Sequence, residues 1–285
     1  MKILAIGDFH GKLSKKFKSI IKKENIDLVV SVGDFFPFVQ RKIWFKHCYG
    51  TDITLWEAIG KKETRKWIEK DLAFGEKVFK KLNSLPVPVF TIVGNLDYSD
   101  QVVDSWDPEK GKKGKKWAWY DQDFFSKIVK KYKNISRFDY GYIKFGDYVF
   151  IGAYGGTSPG KVRSKNFKKY RAKLDKLFRK FRKENKEGKV VFVSHNVPNN
   201  TKLDKVSMKA HKAVRGKHYG SKLVKRTITK NKPVLAIGGH IHEGFGKDKI
   251  KNTVIINSGS AAQGQGVIID LPENKKKKVK VKFIR

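Results

Sequence analysis

Aspartate, asparagine and histidine recur in this chain directly behind short apolar runs, in groupings that suit a metal ion. Gly7-Asp8-Phe9-His10 follows Ile3–Ile6, Gly33-Asp34 follows Leu28–Val32, and Gly94-Asn95-Leu96-Asp97 follows Val87–Val93. Ser194 and His195 follow Val190–Val193, and Gly238-Gly239-His240-Ile241-His242 follows Val234–Ile237. Asp and His donors suit borderline divalent ions such as manganese, the first expectation here, or iron, zinc, cobalt or nickel, and a set without cysteine excludes a thiolate site. Asp8, His10, Asp34, Asn95, His195, His240 and His242 are too many ligands for one ion and about right for two. Two ions roughly 3.5–4 Å apart activate a water and clamp a phosphoryl oxygen. Gly-Asp and Gly-Asn are also ordinary turn dipeptides, and any one of these loops alone reads that way. The five in order, with Asp-x-His and His-x-His among them, read as a site.

Such a site needs elements that deliver each loop to one place. The runs Ile3–Ile6, Leu28–Val32, Val87–Val93, Tyr148–Gly152, Val190–Val193, Val234–Ile237, Val254–Ile256 and Val267–Leu271 end in glycine or polar residues, as buried strands do. Helix-period segments lie between them. One is marked by Phe17, Ile20 and Ile21, a second by Ile68, Leu72, Phe79 and Leu82, and a long third over 165–183 by Phe167, Tyr170, Leu174, Leu177, Phe178 and Phe181. Strands alternating with helices predict an α/β fold, in which ligands gather outside the carboxyl ends of the strands. Glycine before a ligand permits the tight turn that points the side chain inward. At the tail, Val279, Val281 and Phe283 alternate with Lys280 and Lys282, a strand with one wet face. The chain reads as a single domain, 1–285, with insertions at about 38–85 and 99–135. Those segments hold all six tryptophans, read as small-core aromatics that tie the insertions down.

Taken together, Asp8-x-His10, Gly33-Asp34, Gly94-Asn95, His195 and Gly239-His240-Ile241-His242 resemble the five sequence blocks of the calcineurin-like metallophosphoesterases. The stretch from His195 to Asp204, then Gly220-Ser221, Gly239 to Glu243 and Asn257-Ser-Gly259, is similar to the Icc-related phosphoesterases of archaea. The resemblance implies a four-layer α/β/β/α sandwich with two facing mixed sheets. It also implies that Asp8, His10 and His242 hold one metal, that Asn95, His195 and His240 hold the other, and that Asp34 bridges them. The expected reaction is hydrolysis of a phosphodiester, of a nucleotide or nucleic-acid end, by metal-bound hydroxide. The alternative is a nucleic-acid-binding protein, non-catalytic or weakly catalytic, on the same fold.

Two positions depart from the family pattern. The third block ordinarily carries a histidine that protonates the leaving group, and here that position is Leu96. The second block ordinarily carries an aspartate that orients it, and here that position is Pro37. The substitute acid expected from the sequence is His218, in Lys217-His-Tyr-Gly-Ser221, so the catalytic set reads Asp34, Asn95 and His218. His47 and His211 are the remaining histidines. Glu243 is placed to orient a ligand imidazole, and Asp97 and Tyr98 to shape the substrate edge. Gly155 to Gly160 is flexible enough to approach a phosphate but is not a P-loop, and Arg163 just beyond it is a candidate phosphate clamp.

Composition bounds the setting. The single cysteine, Cys48, excludes an internal disulfide and fits a reducing, cytoplasmic compartment. Met1 leads directly into the first strand, which argues against a signal peptide. No apolar run approaches the roughly 20 residues that span a bilayer. Lys and Arg number 64 against 27 for Asp and Glu, a formal net charge of +37. Charge of that size points to a polyanionic partner such as nucleic acid, or to a basic surface with no dedicated anion site. The lysine run between Lys110 and Lys116, followed by Trp117, Trp119 and Tyr120, is the strongest local candidate for single strands.

Overall fold

The computed structural model describes every residue except 52, 100–116, 155–161, 163, 209–214 and 274–277. The expectations that fell on Lys110 to Lys116, Trp106, Gly155 to Gly160, Arg163 and His211 therefore lie outside the described residues. Two six-stranded sheets face each other. The first runs β12-β11-β1-β2-β3-β4, with β1 at Lys2–Ile6, β2 at Leu28–Ser31, β3 at Val89–Thr91, β4 at Ile135–Arg137, β11 at Gly266–Asp270 and β12 at Lys280–Ile284. The second runs β5-β6-β7-β8-β10-β9, with β5 at Tyr142–Phe145, β6 at Tyr148–Ala153, β7 at Val190–Asn196, β8 at Leu235–Gly239, β9 at Gly246–Ile250 and β10 at Thr253–Asn257. Both are mixed: β1 pairs parallel with β2 and antiparallel with β11, and β7 pairs parallel with β6 and β8 while β9 returns antiparallel to β10.

The alternation of side chains along the strands builds three cores. Ile3 and Ala5 point from β1 between the sheets, toward Phe150, Val191, Val193 and Ile237 of the second sheet. Leu4 and Ile6 point the other way, to a helical layer of α1 (Lys16–Lys23), α4 (Lys61–Asn83) and α5 (Phe124–Val129), where Phe17, Phe79 and Phe125 are fully covered. On the far side, Val190 and Phe192 of β7 meet α6 (Lys165–Lys180) and α8 (Lys222–Asn231) through Tyr170, Leu174, Phe178 and Ile228. A short helix, α7 (Arg182–Lys186), follows α6. The order helix, sheet, sheet, helix is the four-layer sandwich expected. Inner strands covered on both faces read as continuous apolar runs, which is why the sequence shows them plainly.

The helices start where sequence chemistry lets them. Ser164 caps α6 by accepting the Phe167 amide at 3.1 Å, and Ser221 caps α8 by accepting that of Val224 at 3.3 Å. Between β2 and α4 run two short helices, α2 (Arg41–His47) and α3 (Leu55–Ile59), the latter opened by a Thr54–Glu57 capping box. Trp56 and Trp117 meet edge to face at 6.2 Å, joining the α3 segment to the chain after residue 116. No helix among the described residues is long and apolar enough to cross a membrane.

Candidate metal centre

Every parallel strand of the two sheets delivers its carboxyl end to one edge, and the predicted ligands collect there. Asp8 and His10 follow β1, Asp34 follows β2, Asn95 follows β3, and His240 and His242 follow β8. The fifth loop differs from expectation. His195 lies within β7 rather than after it, where the β7–β8 register breaks between Val193 and Asn196. A bulge of this kind re-aims a side chain without ending the strand, and the sequence gives no sign of it.

The loops interlock backbone to backbone. The Asp8 amide donates to the Gly33 carbonyl and the Phe9 amide to that of Asp34. A β-carbon on Gly33 would meet the Gly94 nitrogen at 2.3 Å, and one on Gly94 would meet Asp34 Oδ1 at 2.2 Å, so glycine is required at both contacts. Asp97 binds the same pair of loops by accepting the amides of Asp34 at 2.9 Å, Phe35 at 2.7 Å and Gly94 at 2.8 Å. It is buried, and its carboxylate brackets these loops while Asp97 also lines the cavity beside them. Burial and then the Asp34 charge push Asp97 up to about 7, against the pull of the Gly94 and Phe35 amides. A cation beside Asp34 would remove the second cause.

Four of the seven ligand candidates carry left-handed backbone: Asp8 at φ 51°, His10 at 43°, Asp34 at 58° and His240 at 70°. Non-glycine residues adopt this region at a cost and persist there only when their surroundings enforce it, typically at functional sites. Here the enforcement is visible. Asp8 Oδ2 accepts the His240 amide at 3.0 Å, its carbonyl accepts Ser260 Oγ at 3.0 Å, and Asn257 Nδ2 donates to the Ile241 carbonyl at 2.8 Å. Asn257 and Ser260 are supports that residue type alone does not announce.

The side chains converge in two groups, Asp8 with His10 and His242, and Asp34 with His195 and His240. Within each group the donor atoms lie no more than 4.8 Å apart. In the first, His242 Nε2 sits 3.2 Å from Asp8 Oδ1 and 3.2 Å from His10 Nε2. In the second, His195 Nε2 sits 3.2 Å from His240 Nδ1, 3.5 Å from Asp34 Oδ1 and 2.7 Å from Asn95 Oδ1. The other His195 nitrogen, Nδ1, donates to the Val32 carbonyl at 2.7 Å, which aims the Nε2 lone pair at the group. An imidazole lone pair and an amide oxygen this close require a proton or a metal ion between them.

Electrostatics agree. Burial disfavours the Asp8 carboxylate, yet the His242 hydrogen bond and the charges of His195, His242 and His10 hold it down to about 2. Burial and the neighbouring His195 charge push His240 down to about 3, leaving it neutral as a ligand must be. Burial works against protonated His195 as well, but the charges of Asp34 and Asp8 outweigh it. For His242, burial is overcome by the hydrogen bond to Asp8. The site thus attracts positive charge, and its oxygen and imidazole donors fit two divalent ions.

Other candidates are placed as follows. Leu96 and Pro37 both line a cavity of about 780 Å³ that opens on His10, Asp34, Asn95, His240 and His242. Where the family pattern puts an acid pair, this wall is apolar. His218 is not among the residues lining that cavity. Its Nδ1 lies 2.7 Å from Asp204 Oδ1, with its side chain 37% exposed and the carboxylate buried. Glu243 is exposed, and its charge helps raise the His242 pKa. Tyr98 donates to Asp71 Oδ2 at 2.7 Å and accepts Gln40 Nε2 at 2.7 Å.

The chain resembles several solved structures along essentially its whole length. One, at 20% identity and a TM-score of 0.67, is covered over 99% of its chain and covers 100% of this one. A protein of Thermus thermophilus matches at 12% identity and a TM-score of 0.52, with 100% and 99% covered. A dimetal phosphatase from Danio rerio matches at 11% identity and a TM-score of 0.50, with 99% and 98% covered. No curated protein matches the chain. These likenesses concern the fold. The family follows from the sequence model of the calcineurin-like phosphoesterases, which matches residues 1–244, so the chain belongs to the calcineurin-like phosphoesterase family.

Proposed function

We propose that the protein is a phosphodiesterase dependent on two divalent metal ions, manganese in the first instance, acting on nucleotide or nucleic-acid diesters. Asp8, His10 and His242 would hold one ion, Asn95, His195 and His240 the other, with Asp34 between them. When bound, such ions supply an activated water and a Lewis-acid clamp on the phosphoryl oxygens. The chain's own residues do the rest. Val32 fixes the His195 tautomer, Asp97 and Asn257 hold the loops in register, and Asn95 faces both the donors and the cavity. The family suggests a hydrolase. The preference for diesters rests on one observation: the position of the leaving-group acid is Leu96, in an apolar wall. Without a proton donor there, leaving groups that depart as stable anions should react best. His218, held by Asp204 and outside the cavity lining, remains the proposed substitute acid only for leaving groups that extend beyond the cavity. The basic surface would draw the polyanion, and the whole chain, 1–285, would act as one domain with the α2–α3 segment inserted at the metal edge.

The test is metal analysis joined to turnover. Asp34→Ala should lose most bound manganese and at least about 10³-fold in turnover of an activated diester, the scale of removing an electrostatic stabiliser. Chelation should silence the wild type, and manganese should restore it. A wild-type protein that holds no metal under saturating manganese would overturn the reading.

A further inference from the structure

The cavity beside the metal residues is walled by more than the family's ligands. The segment after β2 contributes Phe38, Trp44, Phe45 and Tyr49 to it. These rings are tiled edge to face: Phe38 on Trp44 at 5.8 Å and 64°, Trp44 on Phe45 at 5.2 Å and 90°, and Trp44 on Tyr49 at 5.8 Å and 61°. The helix that carries two of them, α2, buries none of its residues. Phe45 remains 45% exposed and Tyr49 50%, so these rings are not serving the core. Phe38 has φ 58°, which is rare for a bulky side chain and is the kind of strain found at ligand clamps.

The wall is also polar at chosen points. The Arg41 guanidinium lies 5.4 Å over the Phe45 ring, inside the same cavity. Gln40 is 3% exposed, and its Nε2 is committed to Tyr98 while Oε1 has no hydrogen-bond partner. An alkyl chain here would desolvate the Arg41 cation and give nothing back. A planar heterocycle with polar edges offers faces to the rings and ring-nitrogen or carbonyl acceptors to Arg41, and its phosphate would reach the metal residues that line the same space.

We propose that the Phe38–Trp44–Phe45–Tyr49 cluster is a nucleobase-stacking subsite, which positions a nucleoside phosphate with its phosphoryl group at the metal edge. This rests on the phosphodiesterase reading for the phosphate, and on the α2 rings for the base. Stacking of one base on an aromatic platform contributes about 1–3 kcal/mol, roughly a 5- to 150-fold change in affinity.

The experiment measures equilibrium binding of three probes to the full chain with manganese: AMP, ribose 5-phosphate and octyl phosphate. The wild type should bind AMP at least about tenfold more tightly than ribose 5-phosphate. Trp44→Ala with Phe45→Ala should bring AMP to the level of ribose 5-phosphate and leave the latter unchanged. Trp44→Phe, which keeps a ring, should retain most of the difference. Equal affinity for AMP and ribose 5-phosphate in the wild type would overturn the subsite, as would octyl phosphate binding more tightly than AMP. If the wild type turns over no diester yet shows the base preference, and the double variant loses that preference, the hydrolase reading fails and the subsite stands. If turnover is intact and the preference is absent, the subsite alone fails.

Discussion

At the scale of single residues, positions 96 and 37 bear on the substrate preference proposed above, because they stand where the family pattern carries the leaving-group acid and its partner. The Leu96 amide donates to Asp34 Oδ1 at 2.9 Å, so its backbone is held whatever side chain it carries. Its side chain faces the cavity alongside Pro37. A β-carbon on Gly11 would lie 3.2 Å from the Pro37 ring, which leaves that turn filled by the ring. Leu96→His should therefore fold, yet place an imidazole with no carboxylate at position 37 to orient it. Its gain on alkyl phosphomonoesters should fall well short of the about 10²–10⁴-fold that a positioned general acid contributes. The measurement is kcat on an alkyl monoester and on an activated diester for both proteins. A wild-type preference for the alkyl monoester would sink the diester reading, and a full-sized gain in the variant would show that another group orients the new acid.

At the scale of elements, the inner strands were legible, and of the four edge strands only β12 was, through the alternation of Val279, Val281 and Phe283 with lysines. Leu28–Ser31 and Val190–Asn196 are buried along their whole length, so composition alone marks them. By contrast β4, β5 and β9 lie at or beside sheet edges with alternating exposure, and β9 reads Gly-Lys-Asp-Lys-Ile, with no apolar signal to find. Charged edges of this sort resist pairing with other chains, and that same polarity hides them. The ligand loops were legible because glycine, aspartate and histidine are forced by geometry and chemistry together. The supports were not: the bulge at His195, the Asn257 tie and the inward turn of Asp97 depend on which backbone groups come near.

The segment after β7 shows how such supports set stability. Asp204 is buried and accepts the amides of Asn200 at 2.7 Å, Thr201 at 2.8 Å and Gly220 at 3.1 Å, besides facing His218. Burial opposes its ionisation, but the His218 hydrogen bond and these amides outweigh it and hold the carboxyl below the ordinary value. A depressed folded pKa contributes stability that is fully present above the unfolded value near 3.9 and is lost as pH falls through the folded value. Asp204→Asn should thus cost about 1–3 kcal/mol at pH 7. The gap to wild type should narrow below about pH 4. Urea denaturation at both pH values checks this, and a gap that widens in acid would contradict the assignment.

At the scale of the whole molecule, the question is whether a net charge of +37 is aimed. Helix α6 is the obvious basic face, yet its charge is dispersed. Lys173 sits over Tyr140 and Tyr170, Lys180 bonds Tyr142, and Asp175 is paired with Arg226 and Lys230 of α8. Ser99 and Tyr120, which lie before and after the Lys110 to Lys116 run in sequence, both line the metal-edge cavity. Trp117 stacks on Tyr120 at 6.0 Å. If that segment guides nucleic acid, affinity for single-stranded DNA should fall linearly in log salt, at about −0.7 per phosphate neutralised. Changing Lys112, Lys113, Lys115 and Lys116 to Ser should flatten the slope, while turnover of a small diester stays nearly intact. The same number of changes on α6, at the exposed Lys168, Lys169, Arg171 and Lys176, should flatten it less. A flatter slope from the α6 set alone would put the polyanion on the helices of the second sheet. An unchanged slope from both would mean that the charge keeps the protein soluble and serves no polyanion.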